Sequence, residues 1–507
     1  MRSQGSSAVV SGTIVGVEAV EVSVEVSISN GLPGFFIVGM PDAAVRESQE
    51  RVRAALRASG FVLPAQRVVV NLAPGSLRKT GSGFDLPIAV GLLAATGQIP
   101  ASYGAGWFWA GELSLDGAVK PVSGTLTFEL LAKRLGLRMA VPADSADAVG
   151  MDDVGLFAIR HLSELKNPEL PEYKVFSPHA GGSGVDFADI AGHEPAKRAL
   201  QIAAAGSHGI LMTGPPGSGK SMLASALPSI LPPIDEERRM QAACVHSVAG
   251  LPVEDILAGV RPFRHPHHSA SAAGLVGGGN PVRPGEVSLA HGGVLFLDEL
   301  PEFSPRVLQV LRQPMEQGEI VLTRAGTTVT LPSRFMLVAA ANPCPCGYLG
   351  DPFKPCTCSP SQVSAYQNRV GGPLLERIDM HIDVGRVKAS KLIGIAGATP
   401  HPTVDSAVLR EAVCAAREFR AWRESRFGNV RSAGGKEPVL ADRVAECRLS
   451  EECIALLEEV AGTYALSGRG VMKVVSVART IADLAQEEKV GESALLEALG
   501  YRQRKAE

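Results

Sequence analysis

The sequence predicts a multidomain α/β protein: an α+β unit, then an α/β sandwich carrying β-hairpin insertions, then an all-α unit. Three observations predict it. A complete G-x-x-x-x-G-K-[ST] octet, Gly214-Pro215-Pro216-Gly217-Ser218-Gly219-Lys220-Ser221, lies between an apolar run at 209–213 and helix-compatible sequence at 222–227. A second apolar run, 293–297, has the length of a core strand and ends in Asp298-Glu299. From about Thr403 the apolar residues take helical spacing.

The octet stands where phosphate chemistry needs it, between a strand and a helix N-terminus. Its glycines let backbone N–H groups close around phosphate oxygens, and the helix dipole favours the negative charge. Lys220 is expected to reach the β- and γ-phosphates of ATP, and Ser221 to ligate Mg²⁺. Asp298 is expected to hold Mg²⁺ through water and Glu299 to orient and polarise the attacking water, the pattern called Walker B.

Composition bounds the rest. A chain of 507 residues is expected to hold about two to four domains. The balance of 49 Lys and Arg against 52 Asp and Glu leaves −3, so no global basic field announces nucleic acid and any such surface must be local. Residues 1–6 lead into no apolar leader segment, and the apolar stretch 86–95 is too short to span a membrane. Eight cysteines in so long a chain make no disulfide framework. A cytoplasmic, nucleotide-driven protein with no membrane partner is the expectation.

Residues 1–166 read as the α+β unit. The stretch 20–28 alternates as a half-buried strand, Asp42 caps a helix running to Gly60, 67–72 is a strand, and 86–95 is a helix with Pro87 in its first turn. Further strands are expected within 106–115 and at 139–142. Lys79-Thr80-Gly81-Ser82-Gly83 is Gly-rich but lacks the spacing of a phosphate loop. The stretches 81–89 (GSGFDLPIA) and 111–117 (GELSLDG) resemble the Lon-protease-type domain of the ribosomal protein S5 domain 2-like fold. The resemblance places a nucleophilic serine and a lysine where this chain has Gly83 and Leu126, so it implies a non-catalytic relative used for assembly or partner binding.

A linker is expected at 167–184, with Pro168, Pro171, Pro178 and Gly181-Gly182-Ser183-Gly184. The sandwich then spans 185–395. Lys220 and Asp298 stand 78 positions apart, too far for one helix and one strand, so an insert is expected. It contains Arg261-Pro262-Phe263-Arg264-His265-Pro266-His267-His268-Ser269, expected as a loop directed into a ring pore rather than a metal site. Residues 318–331 read as a β-hairpin turning at Ala325-Gly326 with Arg324 at its tip. The strand 335–341 ends at Asn342, which resembles the sensor-1 arrangement of AAA+ proteins. Gly372-Pro373-Leu374-Leu375-Glu376-Arg377-Ile378-Asp379 resembles the stretch that carries the arginine finger in replicative MCM helicases and magnesium chelatases, which implies that Arg377 touches the neighbouring subunit's nucleotide. Cys344, Cys346, Cys356 and Cys358 form two C-x-C pairs that could place four thiolates on one Zn²⁺, though common zinc knuckles use C-x₂-C. Cys244, Cys414, Cys447 and Cys453 read as packing residues.

The helical unit spans 396–507. Ser450 is expected to cap one helix, Ser467-Gly468-Arg469-Gly470 to open another, and a last one to run from Ser493. Ser-x-Arg at a lid helix start resembles a sensor-2 position, which implies that Arg469 reaches back to the γ-phosphate, with Arg479 as the alternative. Three stretches together are similar to the YifB/ComM family of magnesium-chelatase-like AAA+ ATPases: 266–271 (PHHSAS), 297–303 (LDELPEF) and 341–347 (ANPCPCG). The resemblance covers almost the whole chain. It implies a homo-hexameric, ATP-driven branch-migration helicase acting on single-stranded or branched DNA, with Arg324 lining the pore as its DNA contact. Three other readings stand beside it: a chelatase motor subunit, an ATP-dependent protease, and a nucleotide-dependent scaffold. The Lon-like unit and the C-x-C pairs count against the first, and Gly83 and Leu126 against the second. The set Asp298, Glu299, Asn342 and Arg377 counts against the third.

Overall fold

The computed structural model describes residues 5–151, 153–174, 184–279, 281–324, 327–387, 405–427, 447–463 and 466–502. The expected linker residues Gly181, Gly182 and Ser183, Pro178, the hairpin turn Ala325-Gly326 and the side chain of Arg324 lie outside the described residues.

The N-terminal unit is built on one seven-stranded sheet. Its strands are β1 (Ser6–Val15), β2 (Glu18–Ser29), β3 (Gly34–Val38), β4 (Arg67–Ala73), β5 (Trp107–Trp109), β6 (Arg138–Pro142) and β7 (Leu156–Ile159), in the order β3-β4-β2-β1-β5-β6-β7. The alternation in β2 sends Val22, Val24, Val26 and Ile28 into the core while Glu25 stays out. Helix α1 (Ala43–Ala58) is capped by Asp42, whose Oδ1 accepts from Val45 N at 2.9 Å. Helix α2 (Asp85–Ala95) is buried on nearly every side, as its unbroken apolar run requires. It starts at Asp85, whose carboxylate takes two hydrogen bonds from Arg51, at 2.6 and 3.0 Å. Lys79 turns inward and gives its Nζ to the Pro74 carbonyl, so the Gly-rich stretch after it presents no lysine for phosphate.

Several elements here differ from the expectation, and β3, β7 and a helix over 125–135 have no counterpart in it. β1, in mid-sheet, went unread: it buries Ser11 and Thr13 beside Val9, so it offers no apolar run. The stretch 106–115 splits into β5 and a two-residue ribbon strand, Glu112–Leu113. Helix α3 (Thr125–Leu135) carries Leu126, fully buried in a cluster with Ala242, Ala243 and Val253 of the central unit. Leu126 is therefore a packing residue between the two units. Gly124 N also donates to Ser247 O at 2.9 Å across the same boundary. A second crossing occurs at the β1–β2 turn. A Cβ on Gly16 would come within 2.9 Å of Val329 Cγ1 and 3.4 Å of the Thr330 carbonyl, so the turn lies flat on the later hairpin.

The central unit has a five-stranded parallel sheet. After helix α4 (Glu194–Gly206) come β8 (Ile210–Thr213), β9 (Phe263–Arg264), β10 (Val294–Leu297), β13 (Met336–Ala341) and β14 (Met380–Asp383), in the order β9-β10-β13-β8-β14. β10 and β13 are buried along their whole length, as strands covered on both faces must be. Helix α5 (Lys220–Ala226) follows the octet. The insert contains helix α6 (Glu236–Ala249). Helix α7 (Arg312–Gln317) leads into the antiparallel hairpin of β11 (Glu319–Arg324) and β12 (Thr327–Pro332), whose Ile320, Val329 and Leu331 are buried at its base.

Helices α8 (Ser406–Phe427), α9 (Glu451–Thr463), α10 (Gly468–Leu484) and α11 (Glu492–Gly500) form the C-terminal unit. They share one hydrophobic cluster with α4 and β8: Leu409, Val413, Val474 and Ala478 join Leu200, Ala203 and Ile210. The lid is thus packed into the central unit's core, not hung from it. No helix among the described residues is long and apolar enough to cross a membrane.

Candidate nucleotide site

Parallel strands bring their carboxyl ends to one edge, and this assembles the site. The octet leaves β8, Asp298 leaves β10, and Asn342 leaves β13, which lies between them. Ser221 Oγ donates to Asp298 Oδ2 at 2.7 Å. Lys220 Nζ donates to the Gly214 and Pro215 carbonyls at 2.8 and 3.0 Å, and reaches Asn342 Oδ1 at 3.4 Å. Burial lowers the Lys220 pKa, against the raising pull of Asp298 and Glu299. A buried ammonium resting on loop carbonyls, beside a hydroxyl–carboxylate pair, is a donor set that fits a phosphate chain with its Mg²⁺.

Glu299 sits in left-handed backbone, φ 51°, with its N–H held by Asp298 Oδ1 at 2.9 Å. Its Oε2 lies 3.3 Å from His268 Nδ1. The His-rich stretch is thus tied at this end to the nucleotide site, whatever its other face meets in a ring. It follows the short edge strand β9, with the His265 ring on Phe296 and His268 against Glu299. Sequence reasoning missed this residue because it stands 31 positions before its partner; the signal available was the dense Pro-His-His stretch just after a short strand.

Arg377 precedes β14, at the opposite, amino edge of the sheet. Its guanidinium pairs with Glu316 and donates to the Pro373 carbonyl at 2.6 Å. Arg469 opens α10, where Ser467 Oγ accepts from Gly470 N at 3.2 Å. Its Nη2 lies 3.5 Å from the same Glu316. The expectation that Arg469 reaches back over its own phosphate loop is corrected accordingly: the lid's packing on α4 sets it beside Arg377. The alternative, Arg479, is corrected too. It is buried in the lid, with Nε on Asp483 Oδ1 at 3.1 Å and Nη1 on the Glu488 carbonyl at 3.0 Å.

The four Sγ atoms of Cys344, Cys346, Cys356 and Cys358 lie within 4.8 Å of one another, with separations of 3.4–3.6 Å among the first three. A tetrahedron of ~2.3 Å Zn–S bonds has edges of about 3.8 Å, so the thiols fit such an ion. Backbone N–H groups of Thr357 and Tyr348 pull the Cys346 thiol down, while, against one backbone N–H each, burial and the neighbouring sulfurs hold the Cys356 and Cys358 thiols up. Gly347 in this loop lies against the phosphate loop; a Cβ there would come within 2.6 Å of Pro216 Cδ.

Comparison with known proteins fits this arrangement. Residues 186–392 match the family described as magnesium chelatase, subunit ChlI; 403–502 match its C-terminal family; and 24–145 match the one described as subunit ChlI of Mg-chelatase. The competence protein ComM of Haemophilus influenzae is 40% identical over 502 residues, covering 96% of both chains. The chain belongs to the ComM/YifB family. YifB of Escherichia coli, described as uncharacterized, is 39% identical over 495 residues, 96% of this chain and 95% of that one. The magnesium-chelatase 38 kDa subunit of Cereibacter sphaeroides is 30% identical over 174 residues, only 31% of this chain and 52% of its own. This ComM/YifB member thus carries a ChlI-type AAA+ ATPase module with a helical C-terminal region.

Proposed function

We propose that the chain is an ATP-hydrolysing ring motor that draws DNA through a central channel, a branch-migration helicase of the ComM/YifB type. It would work as a homo-hexamer in the cytoplasm, built of units 1–166, 185–395 and 396–507 joined by the linker 167–184. The observation that carries the DNA reading is the hairpin β11–β12. It is rooted in the core next to β13, and Arg324 ends its first strand beside the turn. Six copies of Arg324 would line a pore with positive charge, which suits backbone phosphates and needs no base readout.

In this reading the octet and Asp298 hold ATP and Mg²⁺, Glu299 polarises water, and Asn342 senses the γ-phosphate. Arg377 and Arg469, both at the far edge from their own phosphate loop, serve the nucleotide of the adjacent subunit. Arg324→Ala should leave basal ATPase and assembly intact and abolish DNA-stimulated turnover and strand displacement. Normal unwinding of a branched substrate by that variant would overturn the DNA reading.

A second reading, a chelatase-like motor subunit, is favoured by the three ChlI family matches, one of which covers the Lon-like segment itself and so weakens that segment as an argument against it. The chelatase subunit, however, aligns with under a third of this chain. ATPase assays with branched DNA, single-stranded DNA and protoporphyrin separate the two: stimulation by protoporphyrin alone selects the chelatase reading.

We assign Zn²⁺ to the four-cysteine loop. Purified protein should carry about one zinc per chain, and replacing any of the four by serine should lower that content and loosen the loop after Asn342. Metal-free protein with full activity would remove the assignment.

A further inference from the structure

A cavity of about 320 Å³ opens at the amino edge of the central sheet, where Gly293 leads into β10 and Met336 begins β13. Four arginines from separate segments line it: Arg238 of α6, Arg261 ahead of β9, Arg334 ahead of β13, and Arg417 of α8. Among the described residues Glu316 is the lone acid on its wall, and that carboxylate is already shared by Arg377 and Arg469.

Two of the arginines are fixed in place by carbonyls. Arg261 donates to Pro232 O at 2.6 Å and Pro233 O at 3.1 Å; Arg417 donates to Ala204 O and Ser207 Oγ, each at 2.9 Å. Carbonyls satisfy the N–H groups but bring no counter-charge, and for Arg261 only the Asp235 carboxylate opposes the neighbouring arginines. Burial, then mutual repulsion with Arg417 and Arg238, holds Arg261 down to about 10; burial and Arg420 hold Arg417 to about 10. Ser333, on the same wall, is 1% exposed, and its Oγ has no hydrogen-bond partner. Arg238 leans on Asp235 at 3.4 Å, and among the described residues no carboxylate pairs with Arg334.

Four clustered guanidiniums with one paired carboxylate, Asp235, next to an orphan hydroxyl, form a costly arrangement that a multiply charged oxyanion relieves. Guanidinium forks match phosphoryl oxygens in particular. We propose that this cavity is a phosphoryl-anion site separate from the phosphate loop. Arg238 and Arg334 supply the N–H forks, Ser333 the hydroxyl, and Arg261 and Arg417 the fixed positive charge. Its ligand is a set of adjacent phosphoryl groups, either the polyphosphate of a free nucleotide-like molecule or successive phosphodiesters of a nucleic-acid backbone.

The test uses the full chain with Lys220→Ala, so that the phosphate loop does not compete, and inorganic tripolyphosphate as the probe. Calorimetry should find saturable binding, and the melting temperature should rise with the anion. Adding Arg238→Ala and Arg334→Ala, which removes no carbonyl anchor, should weaken binding by about tenfold or more while leaving the anion-free melting temperature unchanged. No binding, or undiminished binding in the triple variant, overturns the proposal. A short oligothymidylate gives the second arm. If its affinity falls along with that for tripolyphosphate, the strand backbone is the source; if only tripolyphosphate binding falls, the source is a free polyphosphate.

Discussion

Glu299→Gln will bind ATP with nearly unchanged affinity and hydrolyse it roughly 10²–10⁴-fold more slowly. The amide keeps the size and shape of the carboxylate but cannot take a proton from water or polarise it to the same degree. The groups expected to hold the nucleotide are untouched: Lys220 rests on the loop carbonyls, and Ser221 is bonded to Asp298, not to Glu299. Residue 299 keeps its left-handed backbone through the Asp298 contact, so the fold should not suffer. Single-turnover hydrolysis measured beside equilibrium nucleotide binding separates the two effects. Wild-type turnover would move the catalytic base elsewhere, and a matching loss of binding would show that the residue holds nucleotide instead.

Arg377→Ala should also bind ATP and lose turnover, by about 10³–10⁵-fold if it acts as an arginine finger. The stronger form of the experiment mixes two inactive proteins. Lys220→Ala has no working phosphate loop but an intact Arg377; Arg377→Ala has the reverse. In mixed rings some interfaces pair the intact loop of one protein with the intact arginine of the other, so activity should reappear on mixing. Arg377 stands at the amino end of β14 while the loop leaves the carboxyl end of β8, and the two strands run parallel in register, so Arg377 lies at the far edge from its own subunit's loop. Mixtures that stay inactive, although the proteins co-assemble, would place the function of Arg377 within its own chain. The ion pair with Glu316 must open for the arginine to reach a neighbour. Glu316→Gln should therefore spare nucleotide binding and alter turnover in the same assay.

What was legible in the sequence was what is written contiguously. The octet, the Asp298-Glu299 strand end and Asn342 each sit at the end of an apolar run, and parallel pairing forces those ends together. The hairpin announced itself by its spacing. What was not legible depends on the meeting of distant segments. His268 faces Glu299 because a two-residue strand pairs at the sheet edge, too short to leave a pattern. Arg469 meets Glu316 because of how the lid docks, and nothing in Ser-Gly-Arg encodes that angle. β1 escaped because its buried faces use serine and threonine as well as valine. Leu126 was legible only as a leucine where the Lon-type resemblance implies a lysine; that it packs between units required its partner helix α6 to be seen.

The flat contact at Gly16 also has a mechanical meaning. Val15 and Val17 flank that turn and pack on the cluster that holds Ile320, Val329 and Leu331 at the hairpin's base. The turn joins the ten- and twelve-residue strands that form the spine of the N-terminal sheet. A hairpin seated this way is clamped between two stiff bodies. In the proposed motor, load applied at its tip would be borne by both, so a unit that holds no part of the nucleotide site would share it. A side chain in place of Gly16 would strain the turn and push Val329 aside, so the N-terminal unit stands to the hairpin as a mounting stands to a lever.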